Sequence, residues 1–268
     1  MPKKKNKKFV IILINIISIS LLVGGGFGLK IVLDNKEDYD RSSIMIDDLA
    51  NLYNISRDNT EMQDPTENNN EDTTVRYETY NNKSFDELLK INSDTVGWLK
   101  VNNTKIDLPV VKASTNNYYL TKNFRKEYSY VGWIFADYRN KFDPLSKNTI
   151  IYGHSMRNTD GIMFGTLKNV VTQEWLNNPD NYTITFNTIY KNMKWQVFSI
   201  YSLPITDDYL RVNFNDDTDY TNFIKMIKDR SIKDFNVEVN ATDNILTLST
   251  CYINSENRLV VHAKLIQW

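Results

Sequence analysis

Residues that bind metals or form disulfide bonds are scarce in this sequence. Its 268 residues include one cysteine and two histidines, and neither an H-E-x-x-H nor a C-x-x-C spacing occurs. We therefore expect no metal site, and no motif for another cofactor is present. A single cysteine cannot form an intrachain disulfide. Cys251 is therefore buried and inert, joined to another chain by a disulfide, or a reactive thiol.

An excess of positive charge is also missing. The residues after Leu33 include 26 basic and 33 acidic side chains, a formal charge of −7, which argues against a nucleic-acid partner. No phosphate-binding loop, internal repeat or strand–helix–strand alternation occurs. These absences argue against a parallel α/β nucleotide-binding fold and against a repetitive structural protein.

Charge is absent altogether from one stretch near the N-terminus. The eight residues MPKKKNKK contain five lysines, and Phe9–Leu29 then runs for 21 positions without a charge. A helix needs ~20 apolar residues to span a bilayer, and no A-x-A cleavage site marks the alternative, a signal peptide. We predict a basic cytoplasmic tail at 1–8 and a transmembrane signal anchor at 9–30. This predicts a single-pass protein of the cell membrane, with a cytoplasmic N-terminus and an extracellular remainder.

The next part of the chain is predicted to be a helix and a spacer, at 31–75. Apolar residues recur at helical spacing within 36–58. The stretch NTEMQDPTENNNEDTT, at 59–74, is polar and acidic and is typical of a flexible spacer. From residue 76 to residue 268 the pattern is that of one globular domain, which is long enough for a proper core.

Within that domain, β-branched and aromatic runs alternate with Gly, Asn and Asp, a pattern that predicts strands. Helical patterns occur only at 84–91, 161–170 and 217–230. A chain with many strands and few helices favours a barrel or a sandwich. The predicted strands are 96–101, 106–112, 132–137, 148–154, 182–187, 194–203, 245–251 and 258–267.

Three polar residues lie at the ends of predicted strands. His154 ends NTIIYGH, Cys251 ends ILTLSTC, and Arg258 opens the last strand. Such ends can meet at one rim of a barrel, where a thiolate, a histidine and a guanidinium support acyl transfer. The alternative is an inert buried cysteine with a surface arginine. The second histidine, His262, lies within a strand and is expected to be structural.

A series of short motifs runs through the globular part. INSDTVGWLKV, IDLPVV, NNYYL, FADYRN, NTIIYGHSM, MFGTLK and DDYLRVNF precede TLSTC, which is followed by an arginine that opens RLVVHAK. In this order, over roughly residues 80–268, the chain resembles the class B sortases. The resemblance implies a mainly β fold: a closed eight-stranded sortase-like β-barrel with N-terminal helices and a helix between strands six and seven, where 217–230 lies.

The resemblance also implies an activity. Class B sortases are membrane-anchored cysteine transpeptidases of Gram-positive bacteria. They cleave a C-terminal sorting signal of the Asn-Pro-x-Thr type after Thr, form a thioester, and pass the acyl group to an amine of a cell-wall peptidoglycan precursor. By motif, Cys251 is the nucleophile, His154 the general acid/base and Arg258 the oxyanion or substrate-binding arginine. The backbone N–H of Tyr252 is a second oxyanion donor.

Similarity further points to a substrate groove with apolar walls suited to an extended, proline-containing peptide. Ordinary core packing is the alternative role for its residues. Only six residues, YINSEN, separate Cys251 from Arg258, and some class B members have a longer loop there. The exact motif and the acceptor, an oligoglycine or diaminopimelate amine, therefore stay open. The groove positions are Asn116, Leu120, Tyr152, Tyr209, Leu210 and Ser249.

Two other functions compete with transpeptidation. A cysteine peptidase would use the same Cys-His-Arg site with water as the acceptor, and only its products would differ. A membrane-tethered binding module would contain an inert cysteine, and the location of three polar residues at strand ends would then have no explanation.

Overall fold

The computed structural model describes two compact units, Met1–Arg41 and Ser42–Trp268. The backbone is described at 7–61, 82–155, 161–251 and 257–268, and side chains at 24–57, 82–155, 161–250 and 257–268. Most of the predicted spacer and the predicted domain start at residue 76 lie outside these ranges. The domain boundaries therefore stay a prediction.

The N-terminal helix corrects the predicted localisation. Helix α1, Lys7–Glu61, includes the helix predicted at 36–58, and within the second unit its Tyr53 stacks on Trp98 at 4.3 Å between ring centroids. No helix among the described residues is long and apolar enough to cross a membrane. The predicted localisation, a single-pass protein of the cell membrane with an extracellular catalytic domain, is therefore wrong.

Within the described ranges, eight strands form a closed barrel in the order β1-β2-β3-β4-β7-β8-β6-β5. The β2–β3 and β4–β7 pairs are parallel and the other pairs are antiparallel. The predicted barrel is confirmed. The strands are β1 Thr95–Val101, β2 Asp107–Val111, β3 Phe135–Ala136, β4 Asn148–His154, β5 Thr183–Thr188, β6 Lys194–Pro204, β7 Ile245–Cys251 and β8 Asn257–Gln267.

The parallel pair β4–β7 explains the continuous apolar runs seen in the sequence. Every residue of β4 is buried, as expected for a parallel strand that is covered on both faces. Strand β3 is shorter than the run predicted at 132–137. The first residues of the predicted run precede β3 and make tertiary contacts instead. The Trp133 indole N–H, for example, donates to the Pro109 carbonyl (2.8 Å).

Three further helices lie within the described part of the domain: α2 Asp86–Ile91, α3 Gln173–Leu176 and α4 Asp217–Asp229. Helix α4 lies between β6 and β7, as predicted, and its Asp216 cap accepts a hydrogen bond from the Asp219 N–H. Its buried face, which includes Phe223, Ile224 and Ile227, packs in one cluster with residues of β6, β7 and β8. The helix predicted at 161–170 is wrong, because only a 3-10 helix, Leu167–Val171, forms there.

Candidate active site

The ends of three neighbouring strands bring the predicted catalytic positions together. In the parallel β4–β7 pair, His154 lies directly opposite Cys251. In the antiparallel β7–β8 pair, Ser249 lies opposite Val260, and continuing this register puts Arg258 opposite Cys251 on the backbone. The predicted oxyanion donor, Tyr252, lies outside the described residues.

The hydrogen bond of His154 defines which ring nitrogen carries a proton. The side chain is only 6% exposed, and its Nε2 lies 2.8 Å from the Leu120 carbonyl oxygen. A carbonyl oxygen can only accept, so Nε2 is the donor and carries a proton. In the neutral imidazole the basic nitrogen is therefore Nδ1.

A glycine with a left-handed backbone makes room for this ring. Gly132 has φ +61°, and a Cβ atom there would lie 2.7 Å from the Leu120 carbonyl oxygen and 2.9 Å from Cδ2 of His154. Only glycine adopts this conformation without strain and also leaves that space empty. The segment that accepts the His154 hydrogen bond is thus packed directly against the histidine.

A cavity of about 520 Å³ lies at these strand ends, and we call it the groove. Two segments contribute to its lining, 116–120 after β2 and 205–210 after β6, and we call them the first wall and the second wall. Residues of β3, β4 and β7, which we call the floor, and Arg258 of β8 complete the lining. All six predicted substrate-binding residues line the groove. The full lining is Asn116, Asn117, Leu120, Phe135, Tyr152, Ile205, Thr206, Asp207, Tyr209, Leu210, Ser249, Thr250 and Arg258.

The groove is largely apolar, with polar groups held in place by the protein. The Tyr209 hydroxyl and the Ser249 hydroxyl share a hydrogen bond of 2.9 Å, and both residues are buried. The Tyr152 hydroxyl donates to the buried carboxylate of Asp137 (2.9 Å). Such a cleft, with few fixed polar groups, suits an extended peptide, and half-buried Arg258 brings a positive charge to it.

Sequence reasoning missed two parts of this site. The first is the segment Ile205–Asp207, which contributes to the second wall. The second is the pair Asp137 and Arg139, whose motif FADYRN contributed to the family resemblance without suggesting a role. An Asp-x-Arg sequence directly after a buried strand is the signal that could have found the pair. Among the described residues, no three His, Cys, Asp or Glu side chains are grouped so as to hold a metal ion.

The second histidine is structural, as predicted. His262 is fully buried, with Nε2 2.8 Å from the Tyr201 hydroxyl and Nδ1 2.9 Å from the Thr247 hydroxyl. Because Thr247 donates its own proton to Asn148, it accepts from Nδ1–H, so Nε2 accepts from Tyr201. Burial, with a smaller contribution from the charge of Arg230, lowers the pKa of His262 to about 3.

This neutral histidine should make the protein labile to mild acid. The pKa of His262 is about 3 when folded and ~6.5 when unfolded, so below pH 6.5 the unfolded chain binds the extra proton. The free energy of unfolding should fall by about 2 kcal/mol between pH 7 and pH 5. Urea unfolding followed by circular dichroism at both pH values measures this change. In His262→Gln the fall should largely disappear, and an equal fall in both proteins would contradict the assignment.

Three comparisons with known proteins agree with this architecture. The Sortase domain family model matches residues 99–266. The sortase B of Staphylococcus aureus (strain NCTC 8325 / PS 47) is 38% identical over 186 residues, 68% of this chain and 75% of that protein. The sortase B of Listeria monocytogenes serovar 1/2a is 36% identical over 183 residues, 67% of this chain and 73% of that protein. A solved Staphylococcus aureus sortase B–substrate complex has a TM-score of 0.73 at 32% identity, covering 85% of this chain and 97% of that chain.

The match to the family model and the identity to these relatives agree with the closed barrel and with the strand-end site. The chain belongs to the sortase family. Its similarity is to the sortase B enzymes in particular, which makes it a class B cysteine transpeptidase, an enzyme that anchors proteins.

Proposed function

We propose that this enzyme cleaves a C-terminal sorting signal of the Asn-Pro-x-Thr type after its Thr and joins the new acyl group to a cell-wall amine. Cys251 is the nucleophile, His154 the general acid/base, and Arg258 the group that faces the oxyanion. The catalytic domain is residues 76–268. The peptide occupies the groove between the two walls.

The strand register carries this proposal. His154 and Cys251 are opposite each other on β4 and β7, and neighbouring strands are ~4.8 Å apart. A general acid/base must lie within hydrogen-bond reach of the reacting atoms, and the opposition of these two residues on neighbouring strands supports that pairing. The groove borders the same strand ends through Thr250 and Arg258, so a bound peptide can reach the nucleophile.

The first half of the reaction forms the thioester. The Cys251 thiolate attacks the Thr carbonyl carbon, and the carbonyl oxygen becomes an oxyanion that the Arg258 guanidinium and the Tyr252 N–H stabilise. The carbon–nitrogen bond then breaks, and His154 donates a proton to the leaving amine. Because Nε2 is bonded to the Leu120 carbonyl, the proton that His154 exchanges is the one on Nδ1.

The second half releases the acyl group. An amine of a peptidoglycan precursor attacks the thioester carbon, and His154 accepts the proton that the amine loses. The carbon–sulfur bond breaks, and Cys251 leaves as the thiolate, ready for the next turnover. The net result replaces one amide bond with another, and no metal or redox cofactor is needed for the balance.

Product analysis tests this function. The full-length chain is incubated with a fluorogenic Asn-Pro-x-Thr peptide, alone and with triglycine or diaminopimelate, and the products are measured by mass spectrometry. We expect cleavage after Thr and, with one of the amines, a Thr-amine product that grows at the expense of the free acid. A peptide with the Asn and Pro order reversed is the control.

Each alternative has its own result. If cleavage occurs but neither amine enters the product, the enzyme is a hydrolase toward this signal. If no peptide is cut and the Cys251 thiol resists alkylation in the folded protein, the binding-module alternative replaces the proposal.

A further inference from the structure

An ion pair beside the groove, between a buried aspartate and an exposed arginine, has no role in the chemistry described so far. The Asp137 side chain is fully buried, directly after β3. Its carboxylate accepts a bidentate pair of bonds from the Arg139 guanidinium, from Nε and Nη2, both at 2.8 Å. It also accepts the Arg139 backbone N–H at 2.9 Å. A fork of this kind fixes both partners in one geometry.

The same carboxylate holds the first wall and the floor of the groove. The Asn116 side-chain N–H donates to Asp137 at 3.0 Å, and the Tyr152 hydroxyl donates at 2.9 Å. The Asn116 side-chain oxygen is used as well, because it accepts the Tyr138 backbone N–H at 2.9 Å. Asn116 is therefore oriented from both ends of its amide.

Arg139 holds the second wall. Its Nη2 donates both to Asp137 and, at 3.0 Å, to the Leu210 carbonyl oxygen. A continuous series of hydrogen bonds thus runs from Asn116 on one wall, through Asp137 and Arg139, to Leu210 on the other. Among the described contacts, this series connects two segments that are far apart in the sequence.

The electrostatics keep this connection ionised. Burial acts to raise the pKa of the Asp137 carboxyl, but the hydrogen bonds from Arg139, Asn116 and Tyr152 outweigh burial and lower that pKa below its usual value. Removing a partner from a buried carboxylate strongly destabilises the folded protein. Although Arg139 is exposed, its bidentate bond to the buried Asp137 carboxylate holds the two residues together as one unit.

The second wall has other anchors that do not depend on this unit. The Asn148 side-chain N–H donates to the Arg211 carbonyl at 2.8 Å, and Arg230 forms a bidentate pair with Asp208. Loss of the bond from Arg139 to Leu210 should therefore shift the wall locally and leave the segment attached to the barrel.

We propose that Asp137 and Arg139 are positioning residues that set the width of the groove and so determine which side-chain sizes the extended peptide can present between its walls. This inference rests on the proposed function, because it takes the groove as the peptide site. The pair touches neither the proposed nucleophile nor the leaving group, so it acts on binding and selectivity and leaves the chemical step unchanged.

The test uses Arg139→Lys in the full-length chain, which keeps the charge and removes the fork. KM for the Asn-Pro-x-Thr peptide should rise about tenfold with kcat within about threefold. The preference for this peptide over one with Pro replaced by Ala, measured as a ratio of kcat/KM, should shrink about fivefold or more. Asp137→Asn should produce the same changes in KM and peptide preference, to a larger extent. Because this variant could unfold the protein, its melting temperature is measured as well. The kinetics of Arg139→Lys decide the result.

A control variant removes a different ion pair away from the groove, by the same Asp-to-Asn change as Asp137→Asn. Asp243→Asn removes the carboxylate that pairs with Lys264 at 3.0 Å, and it should leave KM and the peptide preference unchanged. If Arg139→Lys behaves like this control, or lowers kcat alone, the inference is overturned while the proposed function stands. If the wild-type enzyme neither cleaves nor binds the peptide, the proposed function fails and the inference fails with it.

Discussion

Replacing Cys251 with alanine should lower kcat/KM for the sorting-signal peptide by about 10⁴-fold or more. The chain has no other cysteine, so no second thiol can form the thioester. Initial rates with the fluorogenic peptide, at enzyme concentrations high enough to detect slow cleavage, measure the loss. The same variant should still bind the peptide, because the groove residues are unchanged.

The control for this prediction is Cys251→Ser, which keeps the size of the side chain and exchanges the thiol for a weaker nucleophile. It should be nearly as inactive as the alanine variant. An alanine variant that keeps a tenth of the wild-type kcat/KM would contradict the nucleophilic role. Peptide binding, followed by fluorescence anisotropy, separates a loss of chemistry from a loss of binding.

Replacing His154 with asparagine should lower kcat by about 10²–10⁴-fold, the range typical of a lost general acid/base. The reason is that the leaving amine then receives its proton only from water. Quenched single-turnover assays, in which mass spectrometry follows the amount of acyl-enzyme, should show that the rate of thioester formation is the step that falls.

The chain offers a matched control in its only other histidine. His262 is buried beneath the barrel surface with both ring nitrogens bonded, so His262→Gln should lower the melting temperature and leave kcat within about threefold at a temperature where the protein is folded. If the two histidine variants lose activity equally, relative to the folded fraction, the role assigned to His154 is wrong.

Most of the strands could be predicted from the sequence because each is a continuous β-branched run bounded by turn residues. The run 148–154, for example, matches β4 in both ends. The errors have tertiary causes. In the segment before β3, the backbone N–H of Trp133 donates to the Tyr119 carbonyl, which lies outside the strands. In the segment 161–170, which was predicted to be a helix, the Phe164 backbone N–H donates to the His154 carbonyl instead of to a carbonyl within a helix.

The candidate site was predictable only in part. That His154 and Cys251 end strands could be read from the pattern, but their opposition depends on β4 and β7 being neighbours, which no local pattern specifies. The family resemblance supplied the groove positions. Asp137 went unassigned because its partners Asn116 and Tyr152 lie on other segments, and Leu210 is reached only through Arg139.

The parallel pairing of β4 with β7 has a consequence for the order in which the molecule folds. The two strands are separated by about 100 residues of chain, and contacts between such distant segments form late because a long loop must close first. Strand β7 also pairs with β8, so it completes its place in the barrel only when both neighbours are present. The thiol and the histidine therefore come together only after this long loop has closed, and a chain in which β4 and β7 are not yet paired lacks the site.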